Sequence, residues 1–304
     1  PLCAPENAKL PTALALGSFD GLHLGHKKVI NAILKDPIGV PTVVSFWPHP
    51  REVLFGESRL RLDLPNEKTF LLEPLGIEQL VLVPFNKNLA SKSAETFVEE
   101  VLAKTLHAKH IAVGENFRFG RNREGDTSTL EKIGASLGIK ISIVPIVKDN
   151  HGRLSSSRVR KALNDGDLKH AKYLLKRPYT FRGTVEKGRG LGKKIGWPTA
   201  NLKIDGRKFL PSLGVYAAWA SIANKKERFL AVMNMGPQPT IDPNSLSAVE
   251  VHLLDKEINL LGHELIIEPV QRIRLQKKFE NIDALSEQIS LDAILAKEIL
   301  TKKL

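Results

Sequence analysis

Short apolar runs alternate with longer amphipathic stretches over the first half of the chain. The runs at 13–16, 42–46, 80–83, 110–113 and 141–145 are mostly rich in β-branched residues and bounded by Gly or Pro, and they predict strands. Between them, 26–34, 67–75, 94–106 and 127–137 repeat their apolar positions at helical spacing. Strand–helix alternation of this kind predicts a parallel sheet wrapped by helices. Residues 155–175 then read as two short helices broken at Asn164-Asp165-Gly166.

After Arg177-Pro178 the pattern changes. Candidate strands at 180–185, 214–221, 228–233, 248–254 and 265–273 follow one another through Gly-, Pro- and Asn-containing turns, with no helical pattern between them. That predicts a small antiparallel β-barrel or sandwich. An amphipathic helix over 285–300 is placed to close an open barrel end. The expected organisation is α/β plus all-β: a parallel-sheet domain over 1–177 and a small antiparallel barrel domain over 178–304.

Composition narrows the class without choosing the partner. A chain of 304 residues, 42% hydrophobic and 26% charged, has material for two cores. Its longest apolar runs, such as the one at 80–84, fall far short of the roughly 20 residues of a membrane span. No charged-then-apolar leader opens it, and its one cysteine, Cys3, has no intrachain partner. These features point to a soluble, cytoplasmic protein. The excess of 45 Lys+Arg over 33 Asp+Glu, a formal charge of +12, suits nucleic acids, acidic membranes or phosphorylated small molecules, and equally a basic solvated surface. A polynucleotide-binding protein is the rival reading and predicts salt-sensitive binding. Only 6% of residues are aromatic, which offers single strands no obvious stacking surface.

The most informative stretch is Gly17-Ser18-Phe19-Asp20-Gly21-Leu22-His23-Leu24-Gly25-His26, between the first predicted strand and the first predicted helix. Strand carboxyl ends of open α/β sheets bind ligands, and a helix N-terminus offers free N–H groups to phosphate. Gly17, Gly21 and Gly25 permit close approach, and His23 and His26 share one side of the first helical turn. The pair also reads as a surface or capping feature; as metal ligands they lack a carboxylate or cysteine cluster nearby. A second phosphate-type string, Leu154-Ser155-Ser156-Ser157-Arg158-Val159-Arg160, places hydroxyls at a helix start with Arg160 a turn later, and alone it is an ordinary Ser-capped basic helix. Phe46-Trp47-Pro48-His49-Pro50 and Gly114-Glu115-Asn116-Phe117-Arg118-Phe119 follow two further strands and suit a flat ring, although isolated aromatics are by default core.

The barrel half carries Gly188-Arg189-Gly190-Leu191-Gly192-Lys193, a basic glycine run suited to phosphates, and then Pro198-Thr199-Ala200-Asn201. Thr199 and Asn201 offer hard oxygen ligands of the kind Mg²⁺ accepts. Glu250, in Val249-Glu250-Val251-His252, reads either as a carboxylate with a task or as an outward residue of an alternating strand.

The Gly17–His26 and Leu154–Arg160 strings resemble the two half-signatures of the nucleotidylyltransferase superfamily, with Ser157 where threonine is usual. With the Phe46, Asn116, Pro-Thr-Ala-Asn and Glu-Val-His strings in consistent order from about residue 14 to 295, the chain resembles the prokaryotic bifunctional riboflavin kinase/FMN adenylyltransferases, or FAD synthetases. The resemblance implies a Rossmann-like N-terminal domain that transfers AMP from ATP to FMN and a riboflavin kinase-like barrel that makes FMN from riboflavin. It implies catalytic roles for His23, His26, Arg160 and Glu250. It implies nucleotide contacts from Gly17, Ser18, Phe19, Asp20, Gly21, Gly25, Asn116, Ser155, Ser156, Ser157, Gly188, Gly190, Gly192 and Lys193. Flavin contacts fall to Phe46, Pro48, Pro50 and Phe119, and Mg²⁺ to Thr199 and Asn201. The implied partners are riboflavin, FMN and ATP, with no nucleic acid and no membrane. Gln238, Ile241, Lys256 and Gln276 depart from the family pattern, all in the kinase half.

Overall fold

Leu14 and Leu16 point to one face of strand β2 (Thr12–Leu16), Ala13 and Ala15 to the other, and all four are buried. The computed structural model describes residues 1–35, 38–57, 60–187, 196–236, 249–256 and 258–302. They fall into two compact units, Pro1–Arg59 with Asp63–Ser155 and Leu60–Leu62 with Ser156–Leu304.

In the first unit β2 lies inside a six-stranded parallel sheet. Its spatial order is β1 (Leu2–Cys3), β4 (Gln79–Pro84), β3 (Val40–Trp47), β2, β5 (Ala108–Gly114), β6 (Lys140–Val144). Neighbouring residues on β3, β4 and β5 split between the faces as on β2: Val43, Leu80 and Ala112 to one side, Val44, Val81 and Val113 to the other. A sheet covered on both faces demands such near-continuous apolar runs. Helix α1 (Leu24–Leu34) lays Val29, Ile30 and Ile33 on the Ala13/Ala15 face, where small side chains leave it room. The opposite face is covered by Phe97, Val98 and Leu102 and by Leu130.

The five expected strands are present, and the sheet gains β1, whose two residues are too few to show a period. Helix α2 (Pro50–Phe55) was not expected; His49 caps it and Pro50 supplies its first turn. The expected helix at 67–75 divides into α3 (Pro65–Leu72) and a 3₁₀ turn, Glu73–Leu75. A short helix α4 (Lys87–Ser91) was not expected. The helix expected at 94–106 is a short α-turn α5 (Ala94–Thr96) running into a π-helical stretch, Phe97–Thr105, and that at 127–137 is α6 (Thr127–Ser136). A hairpin of two-residue strands, β7 (Lys148–Asp149) and β8 (Gly152–Arg153), follows the sheet. The chain moves outward from β2 through β3 to β4, then returns to start β5 on the other side of β2. The carboxyl ends of β2 and β5 therefore flank the switch point, where an open sheet leaves a crevice.

The second unit opens with helices α7 (Ser156–Asp165) and α8 (Leu168–Leu175), broken at Gly166 as expected. Six antiparallel strands follow: β9 (Phe181–Glu186), β10 (Ala200–Lys203), β11 (Gly214–Ile222), β12 (Arg228–Met235), β13 (Val249–Leu253) and β14 (Glu264–Arg274). They close into a barrel in the order β10-β13-β12-β11-β14-β9. Tyr216, Met233, Val251 and Ala200 oppose one another across successive strands and are buried inside. Strand β10 was not expected; it is the Ala200-Asn201 end of the Pro-Thr-Ala-Asn string, too short and polar to read as a strand.

Strand pairing alone closes the barrel, and the C-terminal helix α9 (Ile282–Thr301) lies along its outer wall. Ala293, Ala296 and Leu300 pack there against Val215, Ala217 and Val232. Arg274 at the end of β14 grips the buried Asp292 carboxylate through Nε and Nη2 at 2.8–3.0 Å. Residues 60–62 also belong to this unit. Arg61 exchanges backbone bonds with Arg207 and Phe209, both 2.7 Å. The Leu62 carbonyl accepts from Lys208 Nζ at 2.6 Å and Tyr179 Oη at 3.2 Å. Lys208 is wholly buried and donates also to the Thr180 carbonyl, 3.1 Å away. Among the described residues no helix is long and apolar enough to cross a membrane.

Candidate active sites

The turn from β2 into α1 is unusual backbone. Phe19 (φ 45°), Gly21 (φ 91°) and Leu22 (φ 43°) all lie in the left-handed region. For the two non-glycine residues that costs of order 1–2 kcal/mol each. Burial of both side chains in the α1-side core offsets the cost. The turn is tied down further where the Ser18 carbonyl accepts from Ser45 Oγ at 3.1 Å and from Lys68 Nζ at 3.0 Å. Asp20 Oδ1 accepts from the Asp63 amide at 3.4 Å.

This backbone delivers His23 as the residue capping α1 and His26 one turn on, with their rings stacked at 3.7 Å between centroids and 19° between planes. Phe19 meets His26 edge-on at 5.4 Å. A Cβ on Gly25 would stand 3.1 Å from His23 Cε1, so only glycine leaves that ring undisturbed. Both Nδ1 atoms are buried without a hydrogen-bond partner among the described residues. Burial pushes His23 down to about 4, with Arg153 adding repulsion and Asp20 opposing it. Burial also holds His26 well below the ordinary range, helped by His23, Lys68 and Arg153. The stacked pair is therefore neutral near pH 7, each ring offering one N–H and one lone pair.

Asn116 follows β5 on the other side of the switch point, and with its oxygen turned outward its amide accepts from both Nη atoms of Arg153 at 3.0 Å. Arg153 and Lys68 were missed from sequence; one sits beside a serine string that drew the attention, the other in an amphipathic helix where a lysine is ordinary. Ser156 and Ser157 open α7 as expected, with Ser155 just before it. Arg160 lies in the second unit, where Nη2 donates to the Leu60 carbonyl at 3.0 Å and the guanidinium lies over Phe209.

The aromatic candidates form one cluster. Phe46 meets Phe85 edge-on at 5.8 Å and Phe97 at 6.3 Å; Phe119 stacks on Phe117 at 5.5 Å. Phe119 is buried in the sheet core, while Phe46 and Phe117 are half-buried at its edge. Pro48 is exposed and Pro50 half-buried at the head of α2.

In the barrel, Asn201 on β10 and Glu250 on β13 are directly opposed, and Asn234 on β12 opposes Glu250 from the other side. Opposed residues share a face. Since Ala200, Val251 and Met233 point inward, the row Asn201–Glu250–Asn234 points outward, half-buried. Among the described residues the Asn201 amide and the Glu250 carboxylate take no hydrogen bond, and no group of three His, Cys, Asp or Glu could hold a metal. Thr199, just before β10, is exposed. Gln276 Nε2 donates to Asn234 Oδ1 at 2.7 Å and to the Met235 carbonyl at 2.9 Å. Lys256 is exposed; Gly188, Gly190, Gly192, Lys193, Gln238 and Ile241 lie outside the described residues.

Comparison with known proteins agrees with this architecture. Residues 6–158 match the model of the FAD synthetase family, and residues 175–300 that of riboflavin kinase. The chain is thus a two-module transferase of flavin metabolism. The bifunctional riboflavin kinase/FMN adenylyltransferase of Haemophilus influenzae is 35% identical over 94% of this chain and 93% of its own length. That of Bacillus subtilis is 34% identical over 96% and 92%. A crystal structure described as a macrolide-efflux protein from Streptococcus pneumoniae superposes with a TM-score of 0.82, at 30% identity and 97% coverage of each chain. This chain belongs to the bifunctional riboflavin kinase/FMN adenylyltransferase family and carries both activities.

Proposed function

We propose that the two reactions run at the two sites described, with the residues acting as follows. In the barrel module, taken as 178–304, Glu250 accepts the proton of the riboflavin 5′-hydroxyl. The freed oxygen attacks the γ-phosphorus of ATP, and ADP leaves. Thr199 and Asn201 would hold, through their side-chain oxygens, a divalent cation that we take to be Mg²⁺. The donor set suits a hard cation, because it consists of oxygens and the Asn201 amide is not engaged elsewhere among the described residues. When bound, such an ion neutralises charge on the transferring phosphoryl group. The run Gly188, Gly190, Gly192 and Lys193 wraps the nucleotide.

In the module 1–177, a phosphate oxygen of FMN attacks the α-phosphorus of ATP, and pyrophosphate leaves. The turn Gly17, Ser18, Phe19, Asp20, Gly21 and Gly25 receives the nucleotide, with Asn116 opposite. His23 and His26 donate N–H groups to phosphate oxygens as charge builds in the transition state. Ser155, Ser156, Ser157 and Arg160 hold the phosphates. Phe46, Pro48, Pro50 and Phe119 shape the flavin site, Phe119 from within the core. The observation that carries this reading is the stacked, neutral histidine pair at the switch point, with both Nδ1 atoms unpartnered among the described residues. A reducing cytoplasm, where ATP is made, suits a chain whose one cysteine is free.

Product analysis tests the assignment. The protein is incubated with riboflavin, ATP and Mg²⁺, and flavins are separated by chromatography over time. FMN should rise and then give way to FAD. Riboflavin left unchanged while added FMN becomes FAD would sink the kinase roles and leave the barrel as a flavin-binding module.

A further inference from the structure

His252 stands two residues beyond Glu250 on β13, so the alternation of the strand puts both on the outer face of the barrel. Its Nδ1 lies 2.7 Å from the Pro198 carbonyl oxygen. A carbonyl only accepts, so the proton is on Nδ1 and the ring donates. Trp197 meets the same imidazole edge-on, 5.0 Å between centroids.

The position of that bond matters. Ladder pairing of β10 begins at Ala200, so Pro198 and Thr199 lie outside it. Proline has no N–H to offer a neighbouring strand. Thr199 and Pro198 take no other hydrogen bond among the described residues, which leaves the His252 contact as the polar tether on the peptide that leads into Thr199. Asn201 needs no such help, because β9 and β13 hold its backbone on both sides.

We propose that His252 is a positioning residue for the kinase reaction: acting through the Pro198 carbonyl, it fixes the Thr199 hydroxyl relative to Asn201 and Glu250. The inference rests on the assignment of Thr199 to the ATP–metal complex. It requires an N–H at the Nδ1 position and nothing from the far side of the ring. Asparagine places an N–H close to where Nδ1 stands; glutamine places it farther out, and alanine removes it.

The test uses the full-length protein and compares His252→Ala, His252→Gln, His252→Asn and Thr199→Ala in steady-state kinase assays with varied ATP at fixed Mg²⁺. Adenylyl transfer from ATP to FMN is measured on the same preparations and reports that each variant is folded. The expected result is a loss of roughly 10–100-fold in kcat/KM for ATP in His252→Ala and His252→Gln, the usual effect of losing a group that orients a ligand. His252→Asn should recover most of that loss, and adenylyl transfer should stay at the parent rate. Kinase activity intact in His252→Ala while Thr199→Ala is impaired overturns the inference. Intact activity in Thr199→Ala overturns the underlying assignment instead. Equal losses in all three His252 variants overturn the tether, since the asparagine would then restore nothing.

Discussion

Burial sets the protonation state of the histidine pair, and stability follows from it. The unfolded chain binds a proton at each histidine near pH 6.5, whereas folded His23 does so only at about 4. Between those values the unfolded state holds more protons, so stability present above pH 6.5 is lost as pH falls towards 4. From His23 alone the loss comes to roughly 3 kcal/mol at that end. Urea unfolding between pH 7 and 4.5 should therefore show a flatter pH dependence in His23→Asn than in the parent. The same neutrality means that adenylyl transfer should show no ionisation from this pair between pH 6 and 8. Removing a transition-state donor with His26→Ala should cut FAD formation by about 10²–10³-fold and leave FMN formation intact. Glu250→Gln should lower riboflavin phosphorylation by at least about 10²-fold and leave FMN adenylylation intact. Time courses with riboflavin or FMN as the starting flavin check both. The chemistry of these residues was legible because Gly and His cluster at a strand end and because Thr199, Asn201 and Glu250 stand in strings that carry the family resemblance. The pairing of β10 with β13 that opposes Asn201 to Glu250 was not legible. Arg153, Lys68 and His252 were not, because each acts through a contact that only the folded chain brings together.

Elements differ in how much their side chains disclose. The sheet strands disclose themselves because both faces are buried; Val43-Val44 and Leu80-Val81 are apolar whichever way they point. The π-helical stretch Phe97–Thr105 does not, since over two turns its apolar positions match an α-helix and what separates the two is backbone bonding to the fifth residue back, as from the Leu106 amide to Val101 O (3.1 Å). Helix α9 and its apolar stripe were evident from its pattern, but the buried charge pair that joins the packing was not. Asp292 is 2% exposed and chelated by Arg274. Asp292→Ala leaves the guanidinium facing a vacated site, and removing one partner of a buried pair costs about 3–5 kcal/mol. Thermal unfolding of Asp292→Ala should show the second unit melting earlier, while Asp283→Ala, on an exposed part of the same helix, should change little.

At the scale of the whole molecule the two units do not divide the chain at one point. Leu60–Leu62 lies in the middle of the adenylyltransferase sequence yet is held by Arg207, Lys208, Phe209 and Tyr179. A fragment starting at Pro178 would lose the Leu62 carbonyl that Lys208 and Tyr179 share and the backbone bonds of Arg61 to Arg207 and Phe209, leaving Lys208 the Thr180 carbonyl and Tyr179 the Phe209 carbonyl. Each hydrogen bond lost in this way costs about 0.5–1.5 kcal/mol. The fragment 178–304 should accordingly unfold at lower urea concentration than the second unit of the intact chain. Lys208→Met in the intact chain should move that transition the same way.

The three-residue segment also imposes an order of events during synthesis. Residues 60–62 leave the ribosome long before 207–209, an interval on the order of ten seconds at usual elongation rates. Throughout it the nascent sheet can assemble around its own strands, but Arg61 and Leu62 wait with their backbone groups in water. Their partners arrive only with Lys208 and its neighbours, between β10 and β11, so a piece of chain translated early completes its hydrogen bonds inside a unit translated after it.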